Sequence, residues 1–204
     1  MIDEKALAEV VHFHGHMCPG LAIGVRAAEV ALREIGPHSV DEEVVCQVET
    51  DMCAVDAIQF MTGCTFGKGN LIHRDWGKNA FTFWRRSDGK ALRIRTRLGV
   101  FGSDSDAERQ RLFAAVRQGS ASPAEGARFQ ELHLQRASQV LEAPEADILE
   151  FFPIDSAAPA VARIHDSITC AECGEPTMAT RVEMVADRPL CPPCREEVPA
   201  ALVR

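Results

Sequence analysis

"NAFTFWRRSDGKALRIRTRL", residues 79–98, decides the class of fold. Two β-forming runs flank Ser87-Asp88-Gly89-Lys90, and Asp-Gly accepts the positive φ angles of a tight hairpin turn. The second run alternates, which predicts Leu92, Ile94, Thr96 and Leu98 on one face and Arg93, Arg95 and Arg97 on the other. A hairpin makes these strands antiparallel neighbours. Elsewhere helical and strand patterns mix without regular βαβ alternation. The expected class is therefore α+β, a mixed helix and antiparallel-rich sheet core.

Upstream of the hairpin, "VVCQVET" (44–50) reads as a strand with Val44, Cys46 and Val48 on one face, and a helix is expected from about Met52 to Thr62, ending at Gly63. A longer helix is predicted from Pro19 to Ile35. Its apolar positions Leu21, Val25, Ala28, Leu32 and Ile35 keep helical spacing, Pro19 suits the first helical position, and Gly36-Pro37 supplies the stop. Residues 3–13 form a shorter amphipathic pattern with Asp3 as N-cap. Downstream, one helix is expected to begin near Asp104. A second opens with the capping box Ser122-Pro123-Ala124-Glu125. "DILEFFPI" (147–154) reads as a strand. "PIDSAAPAVARIHDS" (153–167) then reads as a linker, dividing a core domain, 1–160, from a small domain, 165–204.

The totals exclude several classes. At 46% apolar and 25% charged, the 204 residues have ordinary globular composition. A formal net charge of −8 argues against broad nucleic-acid binding, which phosphate neutralisation drives. No apolar run suits a membrane span; the stretch Val10–Val25 is interrupted by His12, His14, His16 and Pro19. "MIDEKALAEVV" lacks the basic start of a secretory signal, so a cytoplasmic location is expected. In that setting the eight cysteines read as thiols and metal ligands rather than disulfides.

Four of them form C-x2-C-x17-C-x2-C: Cys170 and Cys173 in "CAEC", Cys191 and Cys194 in "CPPC". Four thiolates complete the tetrahedral shell of a structural zinc site, and so short a segment needs ligation to hold it together. Neither pair precedes the helix of a thioredoxin-like unit, which argues against redox dithiols.

The other constellation is "FHGHMCPG" (13–20). In an extended segment the two-residue spacing puts His14, His16 and Cys18 on one side. Cys18 is then the N-cap of the following helix, where free N–H groups and the dipole favour a thiolate. Thiolate plus imidazole suits a second divalent ion, zinc by preference. Cys53 stands near the start of the third helix and Cys64 just past its end. A continuous helix separates the two by roughly 16 Å, so only one of them can join Cys18 in a single chain. Cys46 reads as core. Lys68, in "GCTFGKGN", is a candidate for holding a small anionic substrate; the segment fails as a nucleotide-binding phosphate loop because no Ser or Thr follows the lysine. The arginines 93, 95 and 97 read as a solvated sheet face, with an anion site as the alternative.

Taken together, "FHGHMCPGLAIGVRAAEVALREIG", "CAVDAIQFMTGCTFGKGNL" and "DWGKNAF" resemble the FmdE family of formylmethanofuran dehydrogenase components, in consistent order over residues 10–100. The cysteine tail looks like a treble-clef zinc finger and is similar to the four-cysteine fingers of the TraR/DksA type. The resemblance implies a metal-binding cleft, commonly in a homodimer, built from His14, His16, Cys18, Cys53 and Cys64, with Asp56, Gln59 and Lys68 nearby. Cys18, His16, Asp56 and Lys68 are its expected catalytic groups. The implied function is an enzyme, or one component of a larger dehydrogenase complex, in one-carbon or molybdenum and tungsten metabolism. The alternatives are a non-enzymatic metal-handling accessory protein and a zinc-finger regulator contacting nucleic acid or RNA polymerase. The acidic finger segment disfavours direct DNA contact.

Overall fold

The computed structural model describes residues 4–100 and 107–198. It comprises two compact units, Met1–Val161 and Ala162–Arg204. The expected N-cap Asp3 and the expected helix start near Asp104 lie outside the described residues.

In the first unit the elements follow as α1 (Glu4–His14), α2 (Pro19–Glu34), β1 (Val44–Val48), α3 (Ala54–Thr62), β2 (Leu71–His73), β3 (Ala80–Arg85) and β4 (Ala91–Thr96). After them come α4 (Ala107–Arg117), α5 (Pro123–Glu142), the single turn α6 (Glu145–Ile148) and β5 (Leu149–Pro153). The strands form one sheet in the order β2-β1-β3-β4-β5, with β1 and β2 parallel and the remaining pairs antiparallel. The fold is α+β. The hairpin sets its register, placing Phe83 opposite Leu92 and Phe81 opposite Ile94.

Strand alternation gives the sheet two different faces. Val44, Cys46, Val48, Phe81, Phe83, Leu92, Ile94 and Leu149 share a buried cluster with Ala22, Ile23, Ala27 and Val30 of α2, Ile58 of α3, and Ala137 and Val140 of α5. The other face is mixed, with a small buried apolar cluster of Val45, Trp84 and Ala91 beside polar positions. There Arg93 makes a two-pronged ion pair with Glu49, at 2.6 and 2.8 Å, and the Glu49 side chain is fully buried. Arg26 ties α2 to the end of α5 by donating to the carbonyls of Val140, Leu141 and Ala143, which the terminated helix leaves unsatisfied. The capping box at Ser122 and Glu125 forms as its sequence predicts.

Several expectations shift. The first two residues of "DILEFFPI" complete α6 and the strand begins only at Leu149. The alternation of β4 stops at Thr96, so Leu98 is fully exposed instead of sharing the core face with Ile94. Half of the expected linker is anchored to the first unit: Trp84 donates its ring N–H to the carbonyl of Ser156, and Arg86 donates to that of Pro159.

The second unit contains the hairpin β6 (Ser167–Thr169) with β7 (Pro176–Met178), a 3-10 turn (Ala179–Arg181), the hairpin β8 (Glu183–Val185) with β9 (Arg188–Leu190), and the short α7 (Pro192–Glu196). Ala186 and Asp187 both take positive φ, 47° and 61°, in the two-residue loop between β8 and β9. Its buried apolar cluster is Cys170, Val185, Leu190 and Cys191. That is too little to hold a fold by burial alone.

Candidate metal centres

In the first unit a donor set is assembled from two helices and the bend between them. α1 runs one residue further than its pattern predicts and ends on His14. Gly15 then takes φ 99°, a left-handed geometry that glycine adopts without Cβ strain, and turns the chain toward α2. Cys18 is the N-cap of α2, with its sulfur accepting from the Leu21 N–H at 3.3 Å. Cys53 arrives at the head of α3. A Cβ on Gly20 would lie 3.2 Å from the Cys53 Cβ, and a Cβ on Gly24 would lie 2.3 Å from the carbonyl oxygen of Ala54. Those two glycines, one turn apart on α2, let the head of α3 come within contact of its backbone.

The donor atoms of His14, Cys18 and Cys53 all lie within 4.8 Å of one another. His14 Nε2 is 4.0 Å from Cys18 Sγ, near the ~3.6 Å expected between nitrogen and sulfur across a tetrahedral zinc. On its other side, His14 Nδ1 is 2.6 Å from Asp56 Oδ2. A proton on Nδ1 donated to this carboxylate leaves the Nε2 lone pair directed at the sulfur, as metal-bound histidines are generally held. Three protein donors with one position left over is the ligand count of a catalytic rather than a structural site. The residues fit a divalent ion.

The sulfur electrostatics differ from the sequence expectation. Burial, reinforced by Cys53 alongside, pushes the Cys18 thiol up to about 11 despite its hydrogen bond from Leu21. The helix terminus alone does not make a thiolate here. A cation would supply the charge that burial penalises.

Other expected members fall elsewhere. The extended segment predicted to aim His14, His16 and Cys18 together does not exist, because His14 is helical and Gly15 turns. His16 is exposed, its ring 4.7 Å from that of His14, and stands outside the close donor set. Cys64 is fully buried in the sheet core and donates to the carbonyl of Val44. Burial holds its thiol up at about 11 and that of Cys46 well above its ordinary range. Cys53 is thus the partner of Cys18. Lys68 is committed to the carbonyls of Ser39, Val40 and Asp41, at 2.8, 3.3 and 3.1 Å, which makes it a loop clamp instead of a substrate anchor. Gln59 likewise accepts from the Phe66 N–H.

Sequence reasoning missed the two glycines on α2 and the Glu49–Arg93 pair. The glycines carry a signal in the small-residue spacing of "GLAIG". Glu49, directly after an apolar strand, carries none.

In the second unit Cys170, Cys173, Cys191 and Cys194 present four sulfurs within 4.8 Å of one another. Cys173 Sγ and Cys191 Sγ are 3.8 Å apart, the spacing of about 3.8 Å that two thiolates take on a tetrahedral zinc. Cys170 accepts from the Cys191 N–H, and this and neighbouring backbone donors bring its thiol down to about 6. Cys194, crowded by the other sulfurs, is pushed the opposite way, as expected where like charges await a shared cation. The set fits a tetrahedral metal ion.

The sequence matches the FmdE family, described as molybdenum formylmethanofuran dehydrogenase operon, over residues 13–150. A probable S-adenosyl-L-methionine-binding protein of Archaeoglobus fulgidus is 35% identical over 191 residues, covering 88% of this chain and 50% of that protein. The chain thus spans about half the length of the curated relative it matches. The crystal structure of an FmdE-like protein of the tungsten formylmethanofuran dehydrogenase type, from Syntrophus aciditrophicus, superposes with a TM-score of 0.61 at 22% identity, covering 96% of this chain and 93% of that one. At that identity the likeness is one of fold. Among the described residues no helix is long and apolar enough to cross a membrane.

Proposed function

The chain belongs to the FmdE family, and on that basis we propose that its first unit is a zinc-dependent enzyme, or a component of one, in formylmethanofuran dehydrogenase-type one-carbon metabolism. The observation that carries this reading is the convergence of His14, Cys18 and Cys53, with His14 oriented by Asp56 at 2.6 Å. A zinc ion held there would act as a Lewis acid at its open position. Of the chain's own groups, Asp56 holds the proton on His14 Nδ1. Its side chain is 38% exposed, so it can also exchange protons with solvent. In this reading the four cysteines of the second unit hold a structural zinc. S-adenosyl-L-methionine, named for the archaeal relative, enters only as a ligand to screen, because the match spans half of that protein.

The test is metal content per chain by elemental analysis, with single cysteine variants of the full-length protein. The expected result is two zinc ions, one of them lost in Cys18→Ser and in Cys53→Ser but kept in Cys64→Ser. A metal-replete, folded protein with one ion per chain that Cys18→Ser leaves in place would refute the core site. Co-elution with a molybdenum or tungsten formylmethanofuran dehydrogenase separates a role within that complex from a free-standing enzyme.

A further inference from the structure

Two of the core sulfurs stand close enough to react with each other. The sulfurs of Cys18 and Cys53 lie within 4.8 Å, and neither is in a disulfide. A Cβ built on Gly20 would stand 3.8 Å from each of them, so both border one small gap that the glycine leaves open. No capping hydrogen bond ties the Cys53 sulfur to the head of α3, and rotation about its Cα–Cβ bond can close the remaining distance.

Exposure divides the four thiols of the first unit. Cys53 is half-buried, whereas Cys18, Cys46 and Cys64 are buried. A dissolved oxidant therefore meets Cys53 first. Cys53 also stands at the N-terminus of α3, where free N–H groups and the helix dipole favour negative charge on sulfur. Of the three buried thiols, Cys18 is the one that shares its close donor set.

We propose that Cys53 is a peroxide-reactive thiol and that Cys18 resolves its oxidised form into a Cys18–Cys53 disulfide. The O–O bond of the peroxide breaks. One oxygen passes to the Cys53 sulfur as sulfenic acid, and the other leaves as water with the thiol proton. Cys18 then attacks that sulfur: an S–S bond forms, the S–O bond breaks, and the hydroxyl leaves as water with the Cys18 proton. The two sulfurs lose two electrons and the peroxide gains them. A small dithiol returns both thiols by exchange. The disulfide removes two of the three core donors and leaves His14 alone, so oxidation also empties the core metal site. That last consequence rests on the zinc assignment; the disulfide itself does not.

Mass spectrometry of the full-length protein tests this. The protein is exposed to a small molar excess of hydrogen peroxide, its remaining thiols are capped with N-ethylmaleimide, and the digest is mapped. A linked Cys18–Cys53 peptide is expected, and both thiols should return after dithiothreitol. In Cys18→Ser the Cys53 sulfur should pass on to sulfinic and sulfonic acid, which dithiothreitol does not reverse. Cys64→Ser should form the disulfide as the parent does. A parent protein in which Cys18 is still capped, or is joined to another cysteine, overturns the proposal. Zinc counted on the same samples keeps the metal separate. A core ion bound through Cys18, with no disulfide under peroxide, sinks the dithiol alone. The disulfide in protein that never held a core ion upholds the dithiol and refutes only the zinc assignment.

Discussion

Gly24 of α2 sits against Ala54, the first residue of α3, so closely that an added Cβ would stand 2.3 Å from the Ala54 carbonyl oxygen. Backbone cannot yield as a side-chain tip can. This one contact sets how near the heads of the two helices come, and with it how near Cys53 comes to Cys18.

Gly24→Ala is accordingly expected to destabilise the core by about 1–3 kcal/mol, although alanine favours a helix interior. It should also loosen the metal, because Cys53 moves off with α3. Urea unfolding and metal affinity measured together check this. A stabilised variant with undiminished affinity would show that the glycine is not the spacer.

Asp56→Asn keeps the size of the side chain and removes its charge. The amide can still touch His14 Nδ1, which lies 2.6 Å from the carboxylate, but no longer favours the proton there as a carboxylate does. Metal affinity of the core site should drop roughly 10–100-fold. Competition with a chromogenic chelator reads this, and the second unit's ion serves as the internal reference.

Cys64→Ala should separate packing from ligation. Its sulfur is fully buried in the sheet core, so loss of one heavy atom should cost about 1 kcal/mol. Metal stoichiometry should stay at the parent value. A lost ion would mean that Cys64 reaches the centre in solution.

Acid sensitivity should be centred on Glu49. Its hydrogen bonds to Arg93 hold the carboxyl below the usual carboxylate range. With the folded value below the unfolded one, its stabilisation is fully present above the unfolded value of about 4.3 and is lost as pH falls through the folded value. Glu49→Gln should cost on the order of 3 kcal/mol at pH 7, because Arg93 is left without its counter-charge. The gap between parent and variant should close as pH is lowered through the folded value. Thermal melts across that range measure it, and a constant gap would assign the cost to packing instead.

Chelation should act on the second unit first. Cys170, Val185, Leu190 and Cys191 are its buried apolar cluster, which leaves ligation to do most of the stabilising. Hydrogen exchange should show residues 162–198 losing protection on metal removal while β1, β3 and β4 keep theirs. Equal loss in both units would contradict this.

Features that depend on local pattern were legible in the amino-acid order. Asp88-Gly89 and the alternation around it specified the hairpin, Ser122 and Glu125 specified a helix start, and the four clustered cysteines specified a tetrahedral set, because each signal acts over a few residues. The membership of the core donor set was not legible in this way. Cys53 and Cys64 flank the same helix and look equivalent as text, and His14 and His16 look equivalent beside Cys18. Packing in three dimensions chose between them. Gly15 turns the chain after His14, the glycine face of α2 admits Cys53, and the segment after α3 carries Cys64 into the core against the Val44 carbonyl. A ligand set is a property of distances between elements, and those distances are fixed by how closely backbones can approach. Spacing along the chain does not record that.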